Sequence, residues 1–234
     1  MSEIPVRWHV CANSDLLVEA VADVIVTEAA RSISAAGSFL IVLAGGATPG
    51  PIYARLVDLD TPWDRWHVYF SDERCLPVGH AQRNDTMIRE VWLDRVSIPA
   101  HQVHAIPAEL GPDDSAAAYA RELAGVGEFD LVLLGIGEDG HTASLFPGDP
   151  TGSESGAPDV LPVHAAPKPP PSRVSLSAAR LARSRSLLLI VTGEEKREAL
   201  TRLRDGADIP VRFVNAANGI DVHADRCAAP PDVA

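Results

Sequence analysis

Phe39-Leu-Ile-Val-Leu-Ala-Gly-Gly-Ala-Thr-Pro-Gly50 joins an apolar run to a glycine pair and a proline. The run at 39–44 is too short for a helix and is bounded by glycines, which is typical of a strand buried on both faces. Pro49 suits the first turn of a helix, because an N–H at that position has no partner within the helix. The stretch therefore predicts a strand, a tight loop and a helix, the repeating unit of an α/β fold.

The same alternation recurs along the chain. For the helix predicted at 14–36 we expect Ser14 as the N-cap and Gly37 as the C-cap. Alternating strands and helices predict an α/β fold with a mostly parallel sheet and helices on both faces. Further strands are predicted at 66–70, 129–134, 186–191 and 211–214, and further helices at 49–57, 84–91, 113–124 and 194–203.

Residues 148–172 interrupt this alternation. They are rich in glycine and proline and show neither a helical nor a strand period. Long loops in compact domains are usually lids, binding loops or linkers. Because the α/β pattern resumes at 173–177 without a change of composition, we expect one domain over residues 1–234, with this stretch as a loop and a smaller subdomain or lid.

The chain has 234 residues and is acidic, with 20 Lys and Arg against 32 Asp and Glu and a formal net charge of −12. Clustered basic residues bind nucleic acids and anionic membranes, so we expect neither as a partner. Cys11, Cys75 and Cys227 lack both the CxxC spacing and the density of a secreted disulfide scaffold. No signal peptide is visible and no apolar run approaches the ~20 residues of a membrane span, so we expect a soluble, cytoplasmic protein.

The glycine pair after the strand at 39–44 is a candidate anion site. Gly45 and Gly46 allow backbone amides to approach an oxyanion closely, and Thr48 can cap the following helix while offering its hydroxyl. In open α/β sheets such loops lie at the carboxyl ends of the strands, where ligands bind. The alternative interpretation is a tight turn that binds nothing.

A charged tetrapeptide, Ser71-Asp-Glu-Arg74, directly follows the strand at 66–70. Arg74 can hold a carboxylate or a phosphate through its planar guanidinium, and Asp72 can position a sugar hydroxyl or orient another side chain. The same charges could instead form a solvated corner of the molecule.

Gly135-Ile-Gly-Glu-Asp-Gly-His-Thr-Ala-Ser-Leu-Phe-Pro-Gly148 follows the strand at 129–134 and carries the most specific pattern in the chain. His141 is suited to proton transfer near neutral pH, and Asp139 can orient its ring and raise its basicity. A structural turn histidine is the alternative. No second His or Cys lies at ligand spacing, so we expect no metal.

Lys168 and Lys196 are the only lysines in a chain with eighteen arginines. Lys168 lies in the 148–172 loop shortly before Arg173, and Lys196 lies where the strand at 186–191 gives way to a helix. Their compact charges make them candidates for binding an anion. Solvated surface lysines are the alternative interpretation.

In this order, the glycine loop, the stretches at 71–74, 83–85, 135–148 and 168–173, and the turn at 193–196 resemble the glucosamine-6-phosphate isomerase/6-phosphogluconolactonase family. The resemblance covers essentially the whole chain, and the 135–148 segment is most similar to the lactonases of the family. It implies a Rossmann-like sheet, a phosphorylated sugar lactone as the substrate, and no metal or organic cofactor. We also expect a monomer or a weak homodimer.

For the site, we hypothesise that His141, oriented by Asp139, takes a proton from water and returns it to the leaving ring oxygen of the lactone. Arg74 would stabilise negative charge at the reacting centre or hold the sugar, with Asp72 beside it. The phosphate would rest on Gly45, Gly46 and Thr48, with Arg173 and Lys196 as its cations and Lys168 closing from the loop.

Two alternatives remain open. A sugar-phosphate isomerase or deaminase on the same scaffold would also need a phosphate loop, an acid near 72 and a histidine near 141, and it would abstract a proton next to a carbonyl. A sugar-phosphate sensor would bind its ligand without turnover.

Overall fold

The computed structural model describes residues 5–214 and 216–233. The helices are α1 (Ser14–Ala36), α2 (Pro49–Leu56), α3 (Asn84–Val91), α4 (Pro112–Glu122), α5 (Ala178–Ala182) and α6 (Arg197–Arg204), joined by short 3-10 turns. The strands are β1 (Val6–Cys11), β2 (Phe39–Leu43), β3 (Trp66–Phe70), β4 (Asp72–Arg74), β5 (Val103–His104), β6 (Phe129–Leu134), β7 (Val160–Val163), β8 (Arg173–Leu176), β9 (Ser184–Val191) and β10 (Ile220–Asp225).

The main sheet has seven strands in the order β1-β10-β9-β6-β2-β3-β5, and each neighbouring pair is parallel. All the side chains of β6 are buried, so both faces of the sheet centre are covered. This is the arrangement that continuous apolar strands without alternation indicate. The predicted α/β fold with a mostly parallel sheet is confirmed.

The centre of this sheet is a topological switch point. β2 and β6 are neighbours, but the chain continues from β2 to β3 and β5 on one side and from β6 to β9 and β10 on the other. The loops that follow β2 and β6 therefore diverge and leave a crevice at the carboxyl ends of the strands, where open α/β sheets bind ligands.

A second, smaller sheet is antiparallel and consists of β4, β8 and β7 in that order. Its register places Arg74 opposite Arg173 and Asp72 opposite Ser175. Strand β7 lies inside the stretch at 148–172, so the prediction of a loop throughout that stretch is wrong. Pro162 removes one backbone donor from β7, and the strand tolerates this because it lies at the edge of the small sheet.

Three local predictions are also wrong. Residues 211–214 are not a strand, since a 3-10 helix runs through Pro210–Phe213, and the sheet uses β10 instead. Asn13, not Ser14, caps α1: its side-chain oxygen accepts a hydrogen bond from the Leu16 N–H at 2.9 Å. The third is the capping role of Thr48, whose side chain makes no capping hydrogen bond. Gly37 does end α1, with φ of 81°.

The outer strands β1 and β10 were not predicted. Their side chains alternate between polar and apolar, as in Val6-Arg-Trp-His-Val-Cys11. In strands this short, such alternation is a weaker signal than the continuous apolar run of a central strand. Among the described residues, no helix is long and apolar enough to cross a bilayer.

Candidate active site

A cleft of about 340 Å³ opens at the switch point, bordered by the residues that follow β2, β3, β6 and β9. This is a volume typical of small-molecule sites. Asp139 lies behind His141 rather than on the wall, and Lys168 does not line the cleft. The predicted residues that do line it are Gly45, Gly46, Thr48, Asp72, Arg74, His141, Arg173 and Lys196.

The glycine loop forms the wall of the cleft next to α2. Gly46 has φ of 105°, a conformation that side chains disfavour. Thr48 is already helical, with φ of −65° and ψ of −46°, and its side chain makes no capping hydrogen bond. The predicted cap is wrong because a capping residue needs an extended backbone. The Thr48 hydroxyl instead lies 3.1 Å from that of Thr192, which follows β9 and also lines the cleft.

A tight turn after β6 presents His141. The Gly137 N–H donates to the His141 carbonyl at 2.7 Å, and Gly140 has a positive φ of 92°. A Cβ atom on Gly137 would lie 2.0 Å from His141 Nδ1, so the ring can approach this backbone only because residue 137 is glycine. His141 Nδ1 lies 2.5 Å from Asp139 Oδ1, which also accepts the backbone N–H of His141 at 3.2 Å.

The electrostatics of this pair favour a neutral imidazole beside an ionised carboxylate. The ring of His141 packs against Phe146, with ring centroids 4.9 Å apart, and burial lowers the pKa of His141 although Asp139 opposes this. The pKa of Asp139 lies below its ordinary value. Burial by itself would raise this pKa, but the hydrogen bond and the charge of His141 outweigh the effect of burial. A carboxylate has no proton to donate, so Nδ1 carries the hydrogen and Nε2 is the nitrogen that can accept one.

Asp72 is buried at the start of the small sheet, and its carboxylate accepts a hydrogen bond from the adjacent Ser71 hydroxyl at 3.4 Å and from two more distant side chains. Ser144 donates its hydroxyl to Asp72 Oδ2 at 2.6 Å, and Asn84 Nδ2 donates to Asp72 Oδ1 at 3.2 Å. The site prediction omitted both Ser144 and Asn84. Each lies in a stretch that carries the family resemblance, but nothing local in the sequence indicates that they meet Asp72.

The cations around the cleft have different surroundings. Arg74 donates to the Gln82 carbonyl at 2.6 Å. Arg173 is buried, and it donates to the carbonyls of Lys168 and Pro170 at 2.8 and 3.0 Å. Arg173 therefore holds the preceding loop as well as lining the cleft, which was not predicted.

Lys196 reaches the cleft from the turn after β9. Its Nζ lies 3.5 Å from Oε1 of Glu138, an exposed residue of the His141 turn. Glu195 lines the cleft beside it and was also omitted from the prediction. Within 5–214 and 216–233, no group of three or more His, Cys, Asp or Glu side chains is arranged to hold a metal ion.

Comparison with known proteins agrees with this architecture. The family described as glucosamine-6-phosphate isomerases/6-phosphogluconolactonase matches residues 12–223. The chain is 35% identical to a 6-phosphogluconolactonase of Synechocystis over 88% of this chain and 89% of that protein. It is 36% identical to a 6-phosphogluconolactonase of Streptomyces coelicolor over 88% of this chain and 85% of that protein.

A solved structure extends the likeness to the backbone. The crystal structure of 6-phosphogluconolactonase from Thermotoga maritima superposes with a TM-score of 0.88 at 30% identity, covering 95% of this chain and 100% of that one. The chain belongs to the glucosamine-6-phosphate isomerase/6-phosphogluconolactonase family.

Proposed function

We propose that this cleft hydrolyses 6-phospho-D-glucono-1,5-lactone to 6-phospho-D-gluconate, the reaction of the oxidative pentose phosphate pathway that the names of the similar proteins indicate. The observation that carries the proposal is the pairing of His141, on the wall of the cleft, with Asp139 behind it. A neutral imidazole whose hydrogen is held on Nδ1 is a general base at neutral pH, and lactone hydrolysis requires one.

The reaction can be written with one residue as both base and acid. His141 Nε2 takes a proton from water while the water oxygen bonds to the lactone carbonyl carbon, and the carbonyl oxygen becomes an oxyanion. The tetrahedral intermediate collapses, the bond from that carbon to the ring oxygen breaks, and the imidazolium returns its proton to the ring oxygen. Asp139 stabilises the imidazolium between these steps through its charge.

Arg74 and Asp72 face the cleft from the same short strand and supply opposite charges. In this proposal the Arg74 guanidinium stabilises the oxyanion, because a preorganised cation is worth more in a partly dehydrated site than in water. The Asp72 carboxylate, held by Ser144, accepts hydrogen bonds from sugar hydroxyls. The two side chains would thus orient the ring with respect to His141.

The phosphate would occupy the other end of the cleft. Gly45, Gly46 and Thr48 precede the N-terminus of α2, and Lys196 lines the same cleft. Backbone N–H groups at a helix start favour an anion, and the ammonium adds a full charge. An unreactive anionic group bound here fixes the carbonyl carbon relative to the base, which is an effective use of binding energy.

The test of the proposal is His141→Ala in a proton-release assay with 6-phosphogluconolactone, after subtraction of spontaneous ring opening. General acid–base catalysis typically contributes about 10²–10⁴-fold, so we expect kcat to fall within that range while the protein still folds. His164→Ala is the matched control, because His164 is exposed and does not line the cleft. Near-normal turnover by His141→Ala would rule out the general base.

The phosphate assignment is tested with Lys196→Met. Loss of a charged hydrogen bond of about 1.5–3 kcal/mol to the anion should raise KM by at least about tenfold with little change in kcat.

Arg173→Ala is less informative, because it also releases the carbonyls of Lys168 and Pro170. Lys168→Met tests the predicted contact of Lys168 with the phosphate, which should appear as a rise in KM. Because the charge of Lys168 also lowers the pKa of His141, the acid limb of kcat/KM should move to higher pH in the same variant. Ammonia release from glucosamine 6-phosphate by the wild type would instead favour the deaminase alternative.

A further inference from the structure

We propose that Asn84 is a positioning residue that ties Asp72 to the glycine loop and so sets the spacing between the two ends of the cleft. The inference rests on the proposed function, because it assigns those ends to the sugar ring and the phosphate. Asn84 is the first residue of α3, lines the cleft and is only 2% exposed.

One edge of the Asn84 amide is committed to Asp72. Nδ2 donates to the Asp72 carbonyl at 2.9 Å and to Asp72 Oδ1 at 3.2 Å. The backbone of Asn84 is anchored to the same strand, since its N–H donates to Glu73 Oε1 at 2.8 Å. The Asn84 side chain therefore holds both the main-chain carbonyl and the carboxylate of Asp72, and its backbone N–H holds the neighbouring Glu73. Ser144 holds the other carboxylate oxygen of Asp72.

The opposite edge of the amide points at the glycine loop. Asn84 Oδ1 is buried and has no hydrogen-bond partner. A Cβ atom on Gly45 would lie 1.8 Å from it, so the amide rests directly on the backbone of Gly45. Gly45 does not have a positive φ, unlike Gly46. The backbone conformation therefore does not require glycine at 45; the contact with Asn84 does.

An unsatisfied buried acceptor is unfavourable, and native proteins rarely keep one without a reason. Turning the amide over would not relieve it, because the oxygen would then face the carbonyl and the carboxylate of Asp72. The observed orientation retains both bonds to Asp72 and leaves Oδ1 packed on Gly45. The side chain thus acts as a spacer between the acid at the ring end and the loop at the phosphate end.

Spacing of this kind matters for catalysis, because binding energy at the phosphate helps the reaction only if the carbonyl is held at the correct distance from the base. Loss of the spacer should therefore lower kcat as well as raise KM. A residue that contributed only to folding would lower thermal stability and leave the kinetic constants of the folded fraction unchanged.

The first experiment is a double-mutant cycle of Gly45→Ala and Asn84→Ala, measured by kcat/KM and by Tm. Gly45→Ala should lower kcat/KM at least tenfold in the wild type, but less than threefold when Asn84→Ala is already present, because the added methyl group then has room. Equal losses in the two backgrounds would overturn the proposal. If the wild type has no lactonase activity, the proposed function fails, and the cycle in Tm still tests the contact independently.

The second experiment is Asn84→Asp, which is nearly isosteric and replaces the donor to Asp72 with an acceptor. The two carboxylates repel one another unless they share a proton, so the ratio of variant to wild-type kcat/KM should rise as the pH falls. Asn218→Asp is the matched control, since it makes the same chemical change in the turn before β10, at the amino ends of the strands, and should give a flat ratio. A flat ratio for Asn84→Asp, or a ratio that decreases as the pH is lowered, would overturn the proposal.

Discussion

The charge of Asp139 can be removed with almost no change in its shape, by Asp139→Asn. In the wild type, Asp139 Oδ1 accepts both Nδ1 of His141 at 2.5 Å and the backbone N–H of His141 at 3.2 Å. An amide oxygen in the same position can still accept both bonds, so the ring keeps its orientation and its tautomer. The substitution therefore isolates the contribution of the negative charge to catalysis.

The size of this contribution follows from the kind of hydrogen bond that is lost. A hydrogen bond to a charged group is worth about 1.5–3 kcal/mol and a neutral one about 0.5–1.5 kcal/mol, and the imidazolium that forms during the reaction loses the difference. Asp139 is 36% exposed, so water screens part of the charge and the loss lies near 1 kcal/mol. We expect kcat to fall about fivefold.

The assay is proton release from 6-phosphogluconolactone across a range of pH, with Asp149→Asn as a control because Asp149 is an exposed acid of the following loop. Asp139 raises the pKa of His141, so its removal should lower that pKa further. A general base works only when deprotonated, and activity is lost as the pH falls through its pKa; the acid limb of kcat/KM should therefore move to lower pH. An acid limb that stayed in place or moved to higher pH would refute the reasoning.

Two further predictions use the neighbours of the same cleft. Phe146→Ala removes the ring that shields His141, so the pKa of His141 should rise and the acid limb should move to higher pH; the cavity should also lower the free energy of unfolding by about 3–5 kcal/mol in a urea titration. An unmoved acid limb would mean that Phe146 does not control the hydration of the imidazole. Glu138→Gln removes the exposed carboxylate that competes for Lys196, so KM should fall, by no more than about fivefold because such pairs contribute about 0–1 kcal/mol. The fall should shrink at high salt, and a rise in KM would contradict the competition.

Local patterns identified the central strands and the segments that carry the candidate chemistry. The apolar runs at 39–44 and 129–134 lie in β2 and β6, because only strands buried on both faces lack alternation. The outer strands β1 and β10 escaped prediction because they alternate between polar and apolar residues over only six positions each and lack the continuous apolar run that marks β2 and β6. Asn13 rather than Ser14 became the cap because both residue types can cap a helix and only the backbone geometry selects one.

The sequence by itself determined which side chains are available, namely a glycine pair before a helix and a histidine two residues from an acid. Because Asp139 and His141 are so close in the chain, their pairing is a local feature. Only the tertiary structure decided which distant residues join them. Ser144 meets Asp72 and Asn84 meets Gly45 because the strand order and the register of the small sheet bring the ends of β2, β3 and β6 together. Contacts between residues so far apart in the chain depend on how the whole sheet packs, and no local pattern encodes that distance.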